Sequence, residues 1–152
     1  MYNSFYGLDR APFRVNPDPR FLYFSESHEE ALATLVYAVQ ERKGFVVLTG
    51  EVGTGKTTVL NALLERIASP DFGTDVQTAY LFNTVLHLED FFGLVFDELG
   101  LDLPTPFQKG RALQALNDYL IQRLEGGQQT LLLIDEAQNL SRELLEEIRM
   151  LS

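Results

Sequence analysis

Short continuous apolar runs alternate along this chain with longer stretches whose apolar residues recur at helical spacing. The runs Phe45–Thr49, Val76–Phe82 and Thr130–Ile134 predict buried strands. Ahead of the first, Ala31, Leu32, Leu35, Val36 and Val39 share a helical face that stops at Gly44. Ser27 and Glu30 fit a capping box for that helix, with His28 in its first turn. A helix from about Gly55 to Ala68 turns Val59, Leu60, Leu63, Leu64 and Ile67 to one side, and Ser69-Pro70 ends it. A shorter helix near Glu89–Leu99 closes at Gly100, and a connection containing Pro104 and Pro106 follows. The next helix, about Gly110–Glu125, lines up Leu113, Leu116, Leu120 and Leu124 before Gly126-Gly127 breaks it. Ser141 is placed to cap a last helix facing Leu144, Leu145 and Ile148 inward. Strands separated by helices predict an α/β domain, three α/β/α layers around a mainly parallel sheet.

Residues 1–24 break this pattern. Phe5, Tyr6, Phe13, Phe21, Tyr23 and Phe24 are interleaved with Pro12, Pro17 and Pro19, which favour turns and extended geometry. The segment reads as an arm laid over a domain that occupies residues 25–152, with the aromatic side chains as anchors.

Composition narrows the partners. A chain of 152 residues with 45% hydrophobic content is a natural single domain. Its formal charge of −10, from 22 acidic and 12 basic residues, disfavours nonspecific nucleic-acid binding, which Lys and Arg carry. No basic cluster exceeds Glu41-Arg42-Lys43. Without cysteine there is neither a disulfide framework nor a thiolate metal site, and His28 and His87 are too far apart in sequence to suggest a ligand pair. Asp9 and Arg10 interrupt any secretory leader, no run approaches the roughly 20 apolar residues of a membrane span, and Met1 reads as a natural start. A soluble cytoplasmic chain is expected.

Candidate chemistry lies at the ends of two of the apolar runs. Gly50-Glu51-Val52-Gly53-Thr54-Gly55-Lys56-Thr57 fits the phosphate-binding pattern G-x-x-x-x-G-K-[ST] at every fixed position, between a predicted strand and a predicted helix. The glycines let backbone N–H groups close on phosphate oxygens, and the helix N-terminus adds positive potential. Lys56 is expected to reach the β and γ phosphates, Thr57 to give its hydroxyl to Mg²⁺, and Thr58 to bond the α-phosphate. Leu131-Leu132-Leu133-Ile134 ends in Asp135-Glu136, which places Asp135 to face a Mg²⁺ shell and Glu136 to polarise the attacking water. Lys56 and Glu136 are thus the catalytic candidates, Thr57 and Asp135 the metal candidates, and ATP with Mg²⁺ the expected ligands. No placement argument selects Arg142 or Arg149 as a charge-neutralising finger. Two choices stay open: the arm covers the core or borders the adenine ring, and His28 serves the helix cap or contacts the base.

A narrower resemblance joins these pieces. Met1-Tyr2, Phe5-Tyr6-Gly7-Leu8, Pro12-Phe13 and Pro17-Asp18-Pro19-Arg20-Phe21-Leu22-Tyr23 resemble the general secretion pathway protein A family. Ser27-His28, Glu30-Ala31-Leu32, the phosphate loop with Thr58, and Asp135-Glu136-Ala137-Gln138-Asn139-Leu140-Ser141 continue it, so the similarity runs through essentially the whole chain. The resemblance implies a P-loop NTPase of AAA+ type that helps assemble a type II secretion channel. It also implies a position on the cytoplasmic side of the inner membrane, homo-oligomers of the longer protein, and membrane-anchored assembly partners reached through other regions. Asn83-Thr84 departs from the Asn-Pro frequent in the family and should alter a turn only.

In that fold a further strand sits between the Gly50 strand and the Asp135 strand. The chain is therefore expected to be truncated after its third strand and following helix, before the sensor residue, arginine finger and lid. Two alternatives accompany the secretion ATPase: a DNA-transposition helper ATPase and a noncatalytic ATP-binding fragment. A membrane span with a cell-wall-binding module further along the gene would favour secretion, and a basic tail beside a transposase gene would favour transposition.

Overall fold

The computed structural model describes residues 25–82 and 87–151. The arm expected over residues 1–24 and the Asn83-Thr84 turn fall outside the described residues. Packing divides the chain into two compact units. Among the described residues, one holds 25–41 together with Val46–Ser69, and the other holds Arg42–Phe45, 70–82 and 87–151.

The first unit is built on α1 (Glu26–Gln40) and α2 (Lys56–Ile67), which pack on each other. Their buried residues are Leu35, Ala38 and Val39 on α1 and Val59, Leu60, Leu63 and Ile67 on α2, close to the faces the periodicity marks. Helix α1 begins two residues earlier than expected. Ser25, in extended geometry at φ −73° and ψ 162°, is the N-cap, and the box pairs it with His28 instead of pairing Ser27 with Glu30. The imidazole reaches back to the Ser25 N–H at 3.3 Å, satisfying a donor that the helix would leave open. The other end also differs: the helix stops at Gln40, followed by Arg42 in the left-handed region at φ 52°, so termination precedes Gly44.

The expected strand Phe45–Thr49 forms no strand. Phe45 and Val47 are 57% and 67% exposed. A strand exists only through a hydrogen-bonded neighbour, and the two strands of the described sheet pair with each other.

The second unit centres on a two-stranded parallel sheet, β1 (Val76–Leu81) and β2 (Gln129–Ile134), in register from Val76 opposite Gln129 to Leu81 opposite Ile134. Between the strands run α3 (Leu88–Leu99) and α4 (Lys109–Glu125), and α5 (Arg142–Leu151) follows β2. Parallel neighbours need such a helical crossover, so the alternation read from the sequence is realised here. Ala79 and Leu81 of β1 meet Phe91, Phe92, Val95 and Phe96 of α3 in one cluster, which continues through Ala112, Leu116, Leu144 and Ile148. Phe91 and Phe92 stand edge-on, 5.7 Å between ring centres, and each such buried ring contributes about 1.5–3 kcal/mol by transfer. Gly100, at φ 69°, ends α3 where the sequence predicts.

Two apolar residues assigned to helix faces instead face solvent: Leu124 is 57% exposed and Leu145 44% exposed. Each lies on the margin of its helix stripe, whose centre is Ala112 and Leu116 in α4 and Leu144 and Ile148 in α5. The Ser141 cap is present, its hydroxyl accepting the Leu144 N–H at 3.2 Å. Beside β1, Glu98 takes the Tyr80 N–H at 3.2 Å, and Gln77 donates to the Leu99 carbonyl at 3.1 Å. Among the described residues no helix is long and apolar enough to cross a membrane.

Candidate functional site

The phosphate-loop residues Gly50 to Thr58 lie together in the first unit, where the loop runs directly into α2. Gly55 is the N-cap of α2 in left-handed geometry, φ 85° and ψ 17°, and its carbonyl accepts the Val59 N–H at 2.9 Å. Gly53 is also left-handed at φ 81°. A side chain at either position costs about 1–2 kcal/mol by its clash with the following carbonyl. Gly50 is needed for space instead: a Cβ there would stand 2.9 Å from Thr54 Oγ1. The two glycines that the motif fixes, Gly50 and Gly55, and Gly53 between them therefore each have a steric cause.

Internal bonds brace the loop. Thr54 donates its hydroxyl to the Glu51 carbonyl at 2.9 Å, and the Lys56 ammonium donates to the carbonyls of Gly50 and Glu51 at 2.9 and 2.8 Å. Val52 at the tip is fully exposed. Lys56 therefore sits over the turn that its own loop describes, held by two neutral acceptors. Phosphate oxygens would compete well for it, because their negative charge adds Coulomb attraction that neutral carbonyl acceptors do not supply. Among the described residues the N–H groups of Gly53 and Gly55 make no hydrogen bond. Those open donors, on a loop that feeds a helix N-terminus, suit an anion. Thr57 and Thr58 occupy the first turn of α2, with Thr57 exposed and Thr58 half-buried.

The acidic pair belongs to the second unit. Asp135 extends the sheet ladder one step beyond β2, its N–H donating to the Leu81 carbonyl at 2.9 Å. Its Oδ1 accepts the Glu136 N–H at 2.9 Å, and Oδ2 lies 3.4 Å from the Tyr80 hydroxyl, which donates to it. Burial first, then the Asp135 charge and this hydrogen bond, hold the Tyr80 phenol above its ordinary pKa. Glu136 turns the chain sharply: it adopts φ 55° and ψ 36°, and a 3-10 turn over Ala137–Asn139 follows at once. Its exposed carboxylate accepts a short hydrogen bond from the Gln138 side-chain amide. Among the described residues no group of three or more His, Cys, Asp or Glu could hold a metal alone.

Three partners escaped the sequence reading. Tyr80 reaches Asp135 only because β1 lies beside β2 in this register, which no local spacing reveals. Gln138 lies two residues from Glu136 and could have been suspected as its amide partner. His28 is the third: its Nε2 stands 2.7 Å from the Thr54 carbonyl, while Nδ1 faces the Ser25 N–H and hydroxyl. Both ring nitrogens are engaged, so of the two roles open for His28 the structure selects the helix cap and joins it to the loop.

A profile of the family described as AAA domain matches residues 39–152. General secretion pathway protein A of Aeromonas hydrophila is 42% identical over 156 aligned positions, covering 100% of this chain and 27% of that protein. The chain thus spans about a quarter of the length of the relative it matches. No solved structure matches it. The match runs from within α1 through the loop, the acidic strand exit and α5, so the phosphate loop and the acidic pair both lie inside it. The chain belongs to the AAA domain family, and over its whole length it is similar to the part of general secretion pathway protein A that it aligns with.

Proposed function

We propose that this chain is the ATP-binding and ATP-hydrolysing part of a protein that energises assembly of a type II secretion or related cell-envelope complex. The observation that carries the reading is the phosphate loop. It presents left-handed Gly53 and Gly55, open backbone donors and Lys56 at the start of α2. Gly50, Glu51, Val52, Gly53, Thr54, Gly55, Lys56, Thr57 and Thr58 would cradle the phosphates, with Lys56 exchanging its loop carbonyls for phosphate oxygens. Thr57 and Asp135 would hold Mg²⁺, which when bound neutralises the charge on the phosphates. Glu136 would orient and polarise water, its carboxylate steadied by Gln138. Catalysis of this kind is mostly positioning and charge stabilisation, so it depends on residues fixed by backbone geometry.

In this reading residues 1–24 form an arm and residues 25–152 belong to the ATPase domain, on the cytoplasmic side of the inner membrane. Homo-oligomers and membrane-anchored assembly partners belong to the longer protein. The acidic charge of −10 favours a secretion role over a transposition helper, whose DNA contacts need Lys and Arg. Titration calorimetry with ATP and Mg²⁺ on the wild type beside Lys56→Ala tests the binding claim. Saturable binding that the substitution abolishes is expected, and equal heats from both proteins would overturn it.

A further inference from the structure

The contact between α1 and the phosphate loop has a consequence for binding. A carbonyl can only accept, so the 2.7 Å contact from His28 to the Thr54 oxygen puts the ring proton on Nε2. The Ser25 N–H can only donate, which makes Nδ1 the acceptor and agrees with the same tautomer. One imidazole therefore spans from the helix cap to the loop.

The Thr54–Gly55 peptide is trans, as is every described bond except Thr105–Pro106. In a trans peptide the C=O and the following N–H point in opposite directions within one plane. Fixing the Thr54 oxygen on His28 therefore turns the Gly55 N–H away from α1. That N–H makes no hydrogen bond among the described residues. Gly55 at φ 85° is what permits this peptide orientation. Without the histidine, the peptide plane is free to rotate about the soft dihedrals of Thr54 and glycine.

We infer that His28 is a positioning residue for nucleotide binding: by holding the Thr54 carbonyl it pre-orients the Gly55 N–H, and with it the loop, for phosphate. The inference rests on the ATP-binding reading above. It gives α1, outside the motif, a direct hold on the loop. Any displacement of the α1 N-terminus would then be felt at the phosphates.

The two ring nitrogens can be separated by substitution. Asparagine places an acceptor where Nδ1 stands but does not reach Thr54, so His28→Asn keeps the cap and loses the tie. Glutamine places a donor where Nε2 stands and is a good capping-box residue, so His28→Gln keeps both. ATP affinity by calorimetry, melting temperature, and hydrogen exchange of the peptide over residues 49–57 without nucleotide are compared for wild type, both variants and Lys56→Ala.

His28→Asn should bind ATP up to about tenfold more weakly, the value of one lost hydrogen bond, with loop exchange accelerated and melting close to that of His28→Gln. His28→Gln should restore both affinity and exchange. Unchanged affinity in His28→Asn would overturn the inference, as would equal weakening in both variants, which signals a merely destabilised helix. If wild type binds ATP no better than Lys56→Ala, the nucleotide reading itself fails and the inference with it. The exchange contrast would then report only whether the tie exists.

Discussion

The phosphate loop and the acidic strand exit use the same device, a residue in left-handed geometry at the end of a sequence motif, and they use it differently. In the loop the left-handed residues are Gly53 and Gly55, and the bracing bonds from Thr54 and Lys56 run to loop carbonyls no more than six residues away. At the exit the left-handed residue is Glu136, which carries a Cβ, and its carboxylate and that of Asp135 are held by side chains, Gln138 and Tyr80. These loop braces are local, and His28 adds a tie from outside the motif by bonding the Thr54 carbonyl. A strand exit held by Tyr80 depends on the register of β1 and β2. Motif spacing alone therefore describes the first region more fully than the second.

The sharpest break between the two regions is functional. Glu136→Gln in the complete protein should retain ATP binding and lose hydrolysis, because removing one stabilising group from such a transition state costs about 3–4 kcal/mol, or 10²–10³ in rate. Phosphate release measured beside calorimetric binding checks it. Near-normal turnover would take Glu136 out of the chemistry and leave the exit a structural turn.

Next in size is a pair of backbone substitutions that should move in opposite senses. Gly55→Ala forces a Cβ into left-handed geometry and should lower unfolding free energy by about 1–2 kcal/mol. Glu136→Gly removes a comparable penalty at φ 55°, while glycine gives back about 0.4–1 kcal/mol through the unfolded chain. Its stability should therefore match the wild type or slightly exceed it. Urea denaturation midpoints read both, and a loss at Glu136→Gly as large as at Gly55→Ala would mean the exit is braced by contacts that glycine cannot supply.

The smallest effect is the Tyr80 titration. Its phenol is held above the ordinary value by burial, the Asp135 charge and the hydrogen bond to it, in that order. A raised folded pKa means that this stabilisation is complete below about pH 10 and is lost as pH rises through the folded value. Asp135→Asn should bring the phenol down part of the way and leave it above the unfolded value, because burial remains. Site-resolved NMR titration of Tyr80 checks it, and no movement in Asp135→Asn would show that the 3.4 Å contact carries nothing.

Most helices were legible from apolar spacing and punctuation: α2 begins at Lys56 after the glycines, α3 ends before Gly100, and Ser141 caps α5. These signals are local, since a cap or a left-handed stop acts within one turn. The margins were less legible. Leu124 and Leu145 fit a helical stripe by spacing yet face water, because the width of a buried face depends on what packs against it. Helix α1 shows the same limit, since Ser27 and Glu30 fit a capping box by spacing, yet Ser25 and His28 form it.

By itself the sequence determined most of the helices, the strands β1 and β2, the glycines of the phosphate loop, and the acidic residues at the end of β2. Each follows from chain stereochemistry or from side-chain period, which need no partner. Only the tertiary structure decided that Phe45–Thr49 forms no strand, that Tyr80 reaches Asp135, and that His28 holds the Thr54 carbonyl. A strand needs a hydrogen-bonded neighbour, and a contact across 55 or 26 residues needs the register that brings its ends together. Neither is written in any local stretch of sequence, because both are properties of pairs.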